Sequence, residues 1–119
     1  MGLINVDVEL YNPRNGRKGK ACSFLVDSGA VYSVVPASIL KTLNIKPRRE
    51  DTFTLANGER MARGVGEIGF RFQGREATSP VVFGEAKDVF LLGAVTLETL
   101  GYVLDPFRRE LRPLRMMLA

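Results

Sequence analysis

The sequence predicts a mostly β domain with two short helices. Apolar and polar residues alternate over residues 4–10 and again over residues 68–72, which is the period-two pattern of half-buried strands. Turn-forming residues interrupt the apolar segments at short intervals. The hydrophobic fraction of 45% and the charged fraction of 25% are those of an ordinary globular protein. We expect all 119 residues to form a single domain, because a chain of this length supports one core.

The N-terminal segment is predicted to be a β-hairpin. Its strands are residues 4–10 and the apolar residues 21–26, and Asn-Pro-Arg-Asn-Gly at 12–16 supplies the turn. The second strand runs directly into Asp-Ser-Gly-Ala at 27–30, where small side chains and a glycine permit a tight loop.

A third strand and a short helix follow this loop. Residues 31–35 are mostly apolar and β-branched, and Pro36 suits the first position of a helix. Ile39, Leu40 and Leu43 would lie on one side of that helix. The predicted local order is strand, tight loop, strand and helix.

A second hairpin is predicted around Asn57 and Gly58. The Asn-Gly pair readily supplies the positive φ angles of a two-residue turn. Its strands would contain Phe53 and Leu55 on one side of the turn and Met61 on the other.

The rest of the chain is predicted to contain short strands and one helix. Residues 94–100 have a helical pattern, and Gly101 is placed to cap the C-terminus of that helix. Residues 89–92 are apolar throughout, so this strand would be buried on both faces. A C-terminal hairpin and tail are expected at residues 106–119, with the turn beginning at Pro106. The remaining strands are residues 68–72, closed by Gly74, and residues 80–83, 103–105 and 111–112.

The residue inventory limits the chemistry. The sequence has no histidine and one cysteine, so the usual zinc ligand sets are missing and histidine-based triads are excluded. Cys22 cannot form an internal disulfide and lies in a predicted strand, where buried packing is its expected role. Any reaction must use carboxylates, hydroxyls, lysine or backbone groups. We therefore expect neither a metal site nor a cofactor.

The positive charge and the N-terminus bear on partners and location. A net charge of +4 could favour nucleic acid, but the C-terminal arginines are interleaved with other residues, so we interpret them as a solvated face. Residues 1–7 contain polar residues where a signal peptide needs an unbroken apolar stretch, and no later segment approaches a membrane span. We expect a cytoplasmic chain, or one trimmed from something larger, without nucleic-acid or membrane partners. These arginines are Arg108, Arg109, Arg112 and Arg115.

The most informative feature is a carboxylate placed directly after an apolar strand. Asp27 follows Phe24, Leu25 and Val26 and begins a loop of small residues. Burying or half-burying a carboxylate is costly unless a partner compensates it. Asp-Ser-Gly is also an ordinary turn sequence, so the surrounding sequence has to support a functional interpretation.

In this context the sequence resembles the retroviral-type, or retropepsin-like, aspartic peptidases and their small cellular and microbial relatives. Three features occur in that family's order: Leu-Val-Asp-Ser-Gly-Ala at 25–30, the glycine-bearing hairpin around 57–58, and Leu-Leu-Gly at 91–93 leading into a helix. The resemblance spans residues 4–105. It implies a closed or partly closed β-barrel of the acid protease type with one or two short helices.

The resemblance implies an aspartic endopeptidase in which two aspartates share one proton, because two like charges so close cannot both be ionised. One carboxylate would activate a water as general base, and its protonated partner would donate to the scissile carbonyl. The Asp-Ser-Gly block occurs once, and the chain has no room for the second lobe of pepsin-like enzymes. The second Asp27 would therefore come from a two-fold related chain, so we expect a homodimer that acts on peptides or proteins without metal.

The resemblance also implies roles for residues around Asp27. Ser28, in place of the family's common threonine, would brace the two active-site loops, and Gly29 and Ala30 would leave room for a substrate backbone. The second hairpin would form a flap that closes over bound peptide, and two residues of the later motif would support the loop from behind. The flap residues are Leu55, Ala56, Asn57 and Gly58, and the supporting residues are Leu92 and Gly93.

Two features depart from the retroviral pattern. Val31 and Ala94 stand where an aspartate and an arginine usually form an ion pair, and the loss of both partners indicates replacement by apolar packing. Residues 102–105 and 110–113 indicate a hairpin in place of the family's short dimer-forming strand.

Two other interpretations stay open. A catalytically inactive domain of the same fold could act as a dimeric binding or scaffold module, although it would not need Asp27. A small β-barrel could bind nucleic acid through its arginines, which would give steeply salt-dependent binding. For a peptidase, an apolar cleft would favour extended peptides with apolar side chains beside the scissile bond. The candidate cleft residues are Val31, Val34, Leu55 and Val82.

Overall fold

The structure is a computed structural model that describes residues 4–16, 19–55, 57–115 and 118. No helix in these ranges is long and apolar enough to cross a membrane. The helices are α1 (Ala37–Thr42) and α2 (Ala94–Leu100). The strands are β1 (Ile4–Tyr11), β2 (Lys20–Val26), β3 (Ser33–Pro36), β4 (Arg49–Thr54), β5 (Arg60–Phe72), β6 (Arg75–Gly84), β7 (Leu91–Leu92), β8 (Tyr102–Asp105) and β9 (Glu110–Pro113).

Strands of the main sheet close into a ring. The order of neighbours is β1, β2, β7, β3, β6 and β5, and β5 pairs back with β1, where Leu10 lies opposite Phe70. β4 pairs with the first half of β5 and extends the sheet beyond the ring. β2 runs parallel to β7 and β3 runs parallel to β6, while the other pairs are antiparallel. The predicted mostly β fold with two short helices is confirmed, and its sheet is closed as a ring of strands.

One apolar cluster joins the ring of strands to both helices. Phe24 of β2 is fully buried and meets the rings of Phe70 and Phe90 edge-on, with centroids 6.0 Å and 5.5 Å apart. Such aromatic pairs add about 0.5–1.5 kcal/mol each beyond the burial of their area. Leu40 brings α1 into the same cluster. Cys22 is buried there as well, and burial raises the pKa of its thiol, which agrees with a packing role.

Local sequence signals located several elements correctly. β1 and β2 pair as the predicted N-terminal hairpin. α2 spans the predicted residues and ends at Gly101, whose φ of 86° is a left-handed conformation that glycine adopts without strain. β8 and β9 form the predicted C-terminal hairpin as a separate two-stranded sheet. Positions 116, 117 and 119 of the predicted tail lie outside the described residues.

The strand predicted at residues 31–35 starts later than expected. The carbonyl groups of Ala30 and Val31 accept hydrogen bonds from the first two amides of α2, at 2.7 Å and 3.0 Å. The backbone of Ala30 and Val31 therefore bonds to α2 and not to a neighbouring strand, and strand pairing begins at Ser33. Pro36 ends β3 and occupies the N-cap of α1, so the helix begins at Ala37, one residue later than predicted.

Two other strand predictions were wrong in extent. β7 contains two residues of the predicted segment 89–92, and Val89 is 61% exposed, so the segment is not buried throughout. β6 starts well before the predicted residues 80–83, because Gln73 and Gly74, with φ angles of 50° and 79°, make a tight turn that joins β5 to β6. Consecutive left-handed residues suit a hairpin turn and continue the strand pairing on both sides.

Candidate active site

Asp27 is held by backbone hydrogen bonds at the point where β2 ends. Its N–H donates to the carbonyl oxygen of Leu92 at 3.0 Å, which continues the parallel pairing of β2 with β7. Its carbonyl oxygen accepts from the Ala30 N–H at 3.1 Å, and its Oδ1 accepts from the Gly29 N–H at 2.9 Å. The side chain is half-buried, and its Oδ2 has no hydrogen-bond partner among the described residues. The carboxylate is therefore held in one orientation, with Oδ1 hydrogen-bonded and Oδ2 not hydrogen-bonded within the described part of the chain.

The two residues after Asp27 leave the carboxylate accessible. A Cβ atom at Gly29 would lie 3.2 Å from Asp27 Oδ1, which is tighter than an ordinary side-chain contact. Glycine therefore keeps this space open. Ser28 is exposed, and its hydroxyl has no partner within the described part of the chain. Its expected bracing role requires a second chain and stays a prediction.

Leu92 and Gly93 lie directly behind the loop. Leu92 is fully buried. A Cβ atom at Gly93 would lie 2.6 Å from both the carbonyl carbon and the carbonyl oxygen of Tyr32, so only glycine lets the two segments approach this closely. The Gly93 N–H donates to Ser33 Oγ at 3.0 Å. These contacts join the end of β7 to the loop that carries Asp27.

A buried hydroxyl network extends this support, and the sequence interpretation missed it. Thr96 Oγ1 lies 2.6 Å from Ser33 Oγ and 2.8 Å from Ser79 Oγ, and all three residues are at most 1% exposed. Ser79 Oγ also donates to the Pro80 carbonyl oxygen at 3.5 Å, so all the contacts are satisfied when Ser33 donates to Thr96 and Thr96 donates to Ser79. The only sequence signal was a hydroxyl residue within each apolar segment. The network ties β3, β6 and α2 together behind the candidate site.

Thr96→Val should therefore destabilise the protein by about 2 kcal/mol, because the hydroxyls of Ser33 and Ser79 each lose one buried hydrogen bond without a change in side-chain shape. Urea unfolding of the variant measures this loss. Thr99→Val is the matched control on the same helix, since Thr99 is exposed and its hydroxyl donates to the Val95 carbonyl oxygen. The control should change stability by less than about 0.5 kcal/mol. Equal effects of the two substitutions would contradict an energetic role for the network.

The hairpin of β4 and β5 ends in a turn different from the predicted one. Leu55 N–H donates to the Glu59 carbonyl at 2.7 Å, and Gly58 N–H donates to the Leu55 carbonyl at 2.9 Å. The loop between Leu55 and Glu59 therefore has three residues. Gly58 takes the left-handed position, with φ of 89°. Asn57 Oδ1 accepts from the Glu59 N–H at 2.9 Å and so stabilises the turn. Ala56 lies outside the described residues.

A groove of about 730 Å³ lies between this hairpin and the loop that follows Asp27. The four candidate cleft residues all line it. Three of its lining residues are exposed apolar side chains, since Val31 is 63%, Val89 61% and Leu55 39% exposed. Exposed apolar groups that share a concave surface are typical of a site that another molecule covers. The candidate cleft residues are Val31, Val34, Leu55 and Val82.

The family model described as "gag-polyprotein putative aspartyl protease" matches residues 16–99, which is more than two thirds of the chain. The chain belongs to this aspartyl protease family. The match includes Asp27, the β4–β5 hairpin, Leu92 and Gly93. A search of curated protein sequences finds no match.

Solved retroviral proteases share the fold of this family member. The solution structure of simian foamy virus (mac) protease is 22% identical, with a TM-score of 0.59 over 80% of this chain and 92% of that one. EIAV protease complexed with the inhibitor HBY-793 is 18% identical, with a TM-score of 0.63 over 82% of this chain and 88% of that one. The foamy viral protease-reverse transcriptase in complex with an RNA/DNA hybrid is 17% identical, with a TM-score of 0.64 over 99% of this chain and 13% of that one. The retropepsin-like fold is therefore established.

Val31 and Ala94, which stand where the retroviral pattern has an ion pair, both lie where the loop after Asp27 meets α2. Val31 is mostly exposed, and it contacts α2 through its backbone carbonyl, which accepts from Val95 N–H. Ala94 likewise contacts the loop through its N–H. The expected apolar packing of Val31 and Ala94 in place of the ion pair stays a prediction. In this family member, backbone hydrogen bonds connect the loop to the helix.

Proposed function

We propose that the protein is an aspartic endopeptidase whose catalytic dyad is formed by Asp27 from two chains. The observation that carries this proposal is the placement of Asp27, half-buried and oriented by the Gly29 N–H, at the start of the loop whose later residues line an apolar groove, in a chain of the aspartyl protease family. A carboxylate with one oxygen engaged and one unengaged suits proton exchange with a water. A substrate peptide would lie in the groove.

The homodimer is part of the proposal because one chain supplies half of the required groups. Asp-Ser-Gly occurs once in the sequence, and two such carboxylates are needed to hold one proton between them. The exposed apolar residues at the groove, Val31 and Val89 among them, give a further reason for a covering molecule. A two-fold axis between the chains would bring the two Asp27 side chains together.

In the proposed reaction, the ionised Asp27 takes a proton from a water as the water attacks the scissile carbonyl carbon. The protonated Asp27 of the second chain hydrogen-bonds the carbonyl oxygen and transfers its proton as the tetrahedral gem-diol forms. Collapse of that intermediate breaks the C–N bond and returns a proton to the leaving amine. The step requires neither a covalent intermediate nor a metal.

The β4–β5 hairpin would serve as the flap that closes over bound peptide. Its backbone amides limit how it could do so. The N–H groups of Leu55, Gly58 and Glu59 already donate within the turn, which leaves the Asn57 N–H without a described acceptor. We therefore expect Asn57, and not Gly58, to supply an amide hydrogen bond from the described part of the tip.

The dimeric mechanism is tested by measuring the cleavage rate of an unstructured protein across enzyme concentrations. At low concentration the rate should rise with the square of the enzyme concentration, and at high concentration linearly, because activity follows the dimer. A variant with two copies joined by a long Gly/Ser linker should give a linear rate throughout. A linear rate from the unlinked chain while it sedimented as a monomer would contradict the proposal. A dimer that cleaves nothing would favour the binding-module interpretation.

A further inference from the structure

The groove lined by the loop after Asp27 contains two charged residues in an otherwise mostly apolar lining. They are Arg63, on β5, and Asp88, in the segment between β6 and β7. A charged side chain in a mostly apolar groove affects which ligand side chains fit, because an unpaired charge there disfavours apolar groups and favours the opposite charge. The partners of each residue therefore decide the charge that a ligand would meet.

Arg63 is already neutralised within the chain. Its Nη2 lies 2.6 Å from Glu85 Oε1, and the same nitrogen lies 3.6 Å from Met61 Sδ. Lys87 also approaches Glu85, with Nζ 4.0 Å from Oε2. Arg63 and Lys87 therefore both approach Glu85, and neither of them pairs with Asp88.

Asp88 keeps its negative charge unpaired. Its Oδ2 accepts from the Glu85 N–H at 2.6 Å, and its own N–H donates to the Glu85 carbonyl at 3.0 Å, so the side chain is held in one orientation. No lysine or arginine nitrogen in the described ranges lies within 4.0 Å of its carboxylate. The turn itself does not require the charge, because an asparagine oxygen would accept the same hydrogen bond.

The groove offers Asp88 together with an apolar wall. A Cβ atom at Gly84 would lie 3.0 Å from Asp88 Oδ2 and 2.9 Å from Val34 Cγ1, so both side chains lie close to this glycine. Lysine and arginine side chains combine an aliphatic stem with a terminal cation, which matches an apolar surface beside a carboxylate. A purely apolar side chain would leave the Asp88 charge partly desolvated and unpaired.

We propose that Asp88 makes this groove selective for peptides that carry a lysine or arginine side chain near the scissile bond. The aliphatic stem packs against Val34, and the cation pairs with the Asp88 carboxylate. The inference rests on the proposed function in one respect, namely that the groove takes the substrate peptide. It adds a charged specificity to the apolar one expected from the sequence.

The test compares peptides that differ in one residue, lysine or norleucine, scanned through three positions on each side of the cleaved bond. At one or more positions, kcat/KM should be roughly fivefold higher for lysine, the size expected of a solvent-accessible ion pair. Asp88→Asn keeps the turn's acceptor and should remove the preference. Asp7→Asn makes the same chemical change at an exposed site on β1, outside the groove, and should retain it.

Two further measurements keep this inference separate from the proposed function. Binding of the same peptides to the Asp27→Asn protein should show the same lysine preference without any cleavage. The preference of the unmodified protein for lysine should decrease as the salt concentration is raised, because salt screens a solvent-accessible ion pair. This measurement tests the role of charge even if Asp88→Asn does not fold. If the protein cleaves the peptides without a preference for lysine, or prefers glutamate, then the proposed role of Asp88 is wrong and the peptidase proposal is unaffected. Selective binding without cleavage by the unmodified protein overturns the peptidase proposal and leaves the charge selectivity in place.

Discussion

Asp27→Asn should lower peptide cleavage by roughly 100- to 10,000-fold, the range that a general acid or base contributes. An amide cannot accept the proton of the attacking water, so a dyad with two asparagines has no base. The fold should persist, because asparagine has nearly the same size and its Oδ1 can still accept from the Gly29 N–H. Single-turnover cleavage measures the loss of activity, and circular dichroism and sedimentation of the purified variant show whether the fold persists.

Mixing the variant with the unmodified chain makes the test sharper. Excess Asp27→Asn chain should inhibit the unmodified protein, because mixed dimers carry one carboxylate and cannot share a proton between two. Asp7→Asn, which removes an exposed carboxylate from β1, should not inhibit and should cleave normally. Full activity in the Asp27→Asn protein would remove Asp27 from the mechanism. Loss of activity without inhibition of the unmodified chain would indicate that the two chains do not share one site.

Gly93→Ala should destabilise the protein by about 3 kcal/mol, at the upper end of the usual cost of overpacking. The added methyl group would meet the Tyr32 carbonyl at 2.6 Å and the Val31 carbonyl oxygen at 2.9 Å. Both are backbone atoms, so a side-chain rotation cannot relieve the contact. Because this backbone belongs to the loop after Asp27, cleavage should fall together with stability. Chemical unfolding and the cleavage rate at a temperature where the variant is folded measure the two effects.

The control for this prediction is Gly29→Ala. The same methyl group there meets a side-chain oxygen, Asp27 Oδ1 at 3.2 Å, so the neighbour can move slightly. Its stability should change by less than about 1 kcal/mol. If Gly93→Ala is as stable as Gly29→Ala, then the close approach of the Leu-Leu-Gly segment to the loop is not a constraint on the fold.

Several parts of the fold were predictable because their signals are local. Alternating side chains placed β1 and the strand over residues 68–72, since period-two burial depends only on the chain's own geometry. Gly101 ends α2 as expected, because a left-handed residue is required at that position. The site's central residue was also predictable. Asp27 follows an apolar strand and begins a loop of small residues, and the structure has it as the first residue after β2.

The wrong predictions concern segments whose structure depends on distant partners. Residues 31–35 have a strand-like composition, but the carbonyls of Ala30 and Val31 bond the start of α2, which is more than sixty residues away in sequence. Val89 belongs to an apolar run, yet it faces the groove. In both cases tertiary contacts outweighed local propensity.

The sequence alone determined the period of the strands, the position of the single Asp-Ser-Gly block and the absence of histidine, because each of these follows directly from the order or the composition of the residues. Only the tertiary structure decided that Ser33 and Thr96, 63 residues apart, share a buried hydrogen bond. It also decided that Arg63 pairs with Glu85, while Asp88 has no cationic partner among the described residues. These arrangements depend on which strands become neighbours when the ring closes, and no local pattern specifies that order.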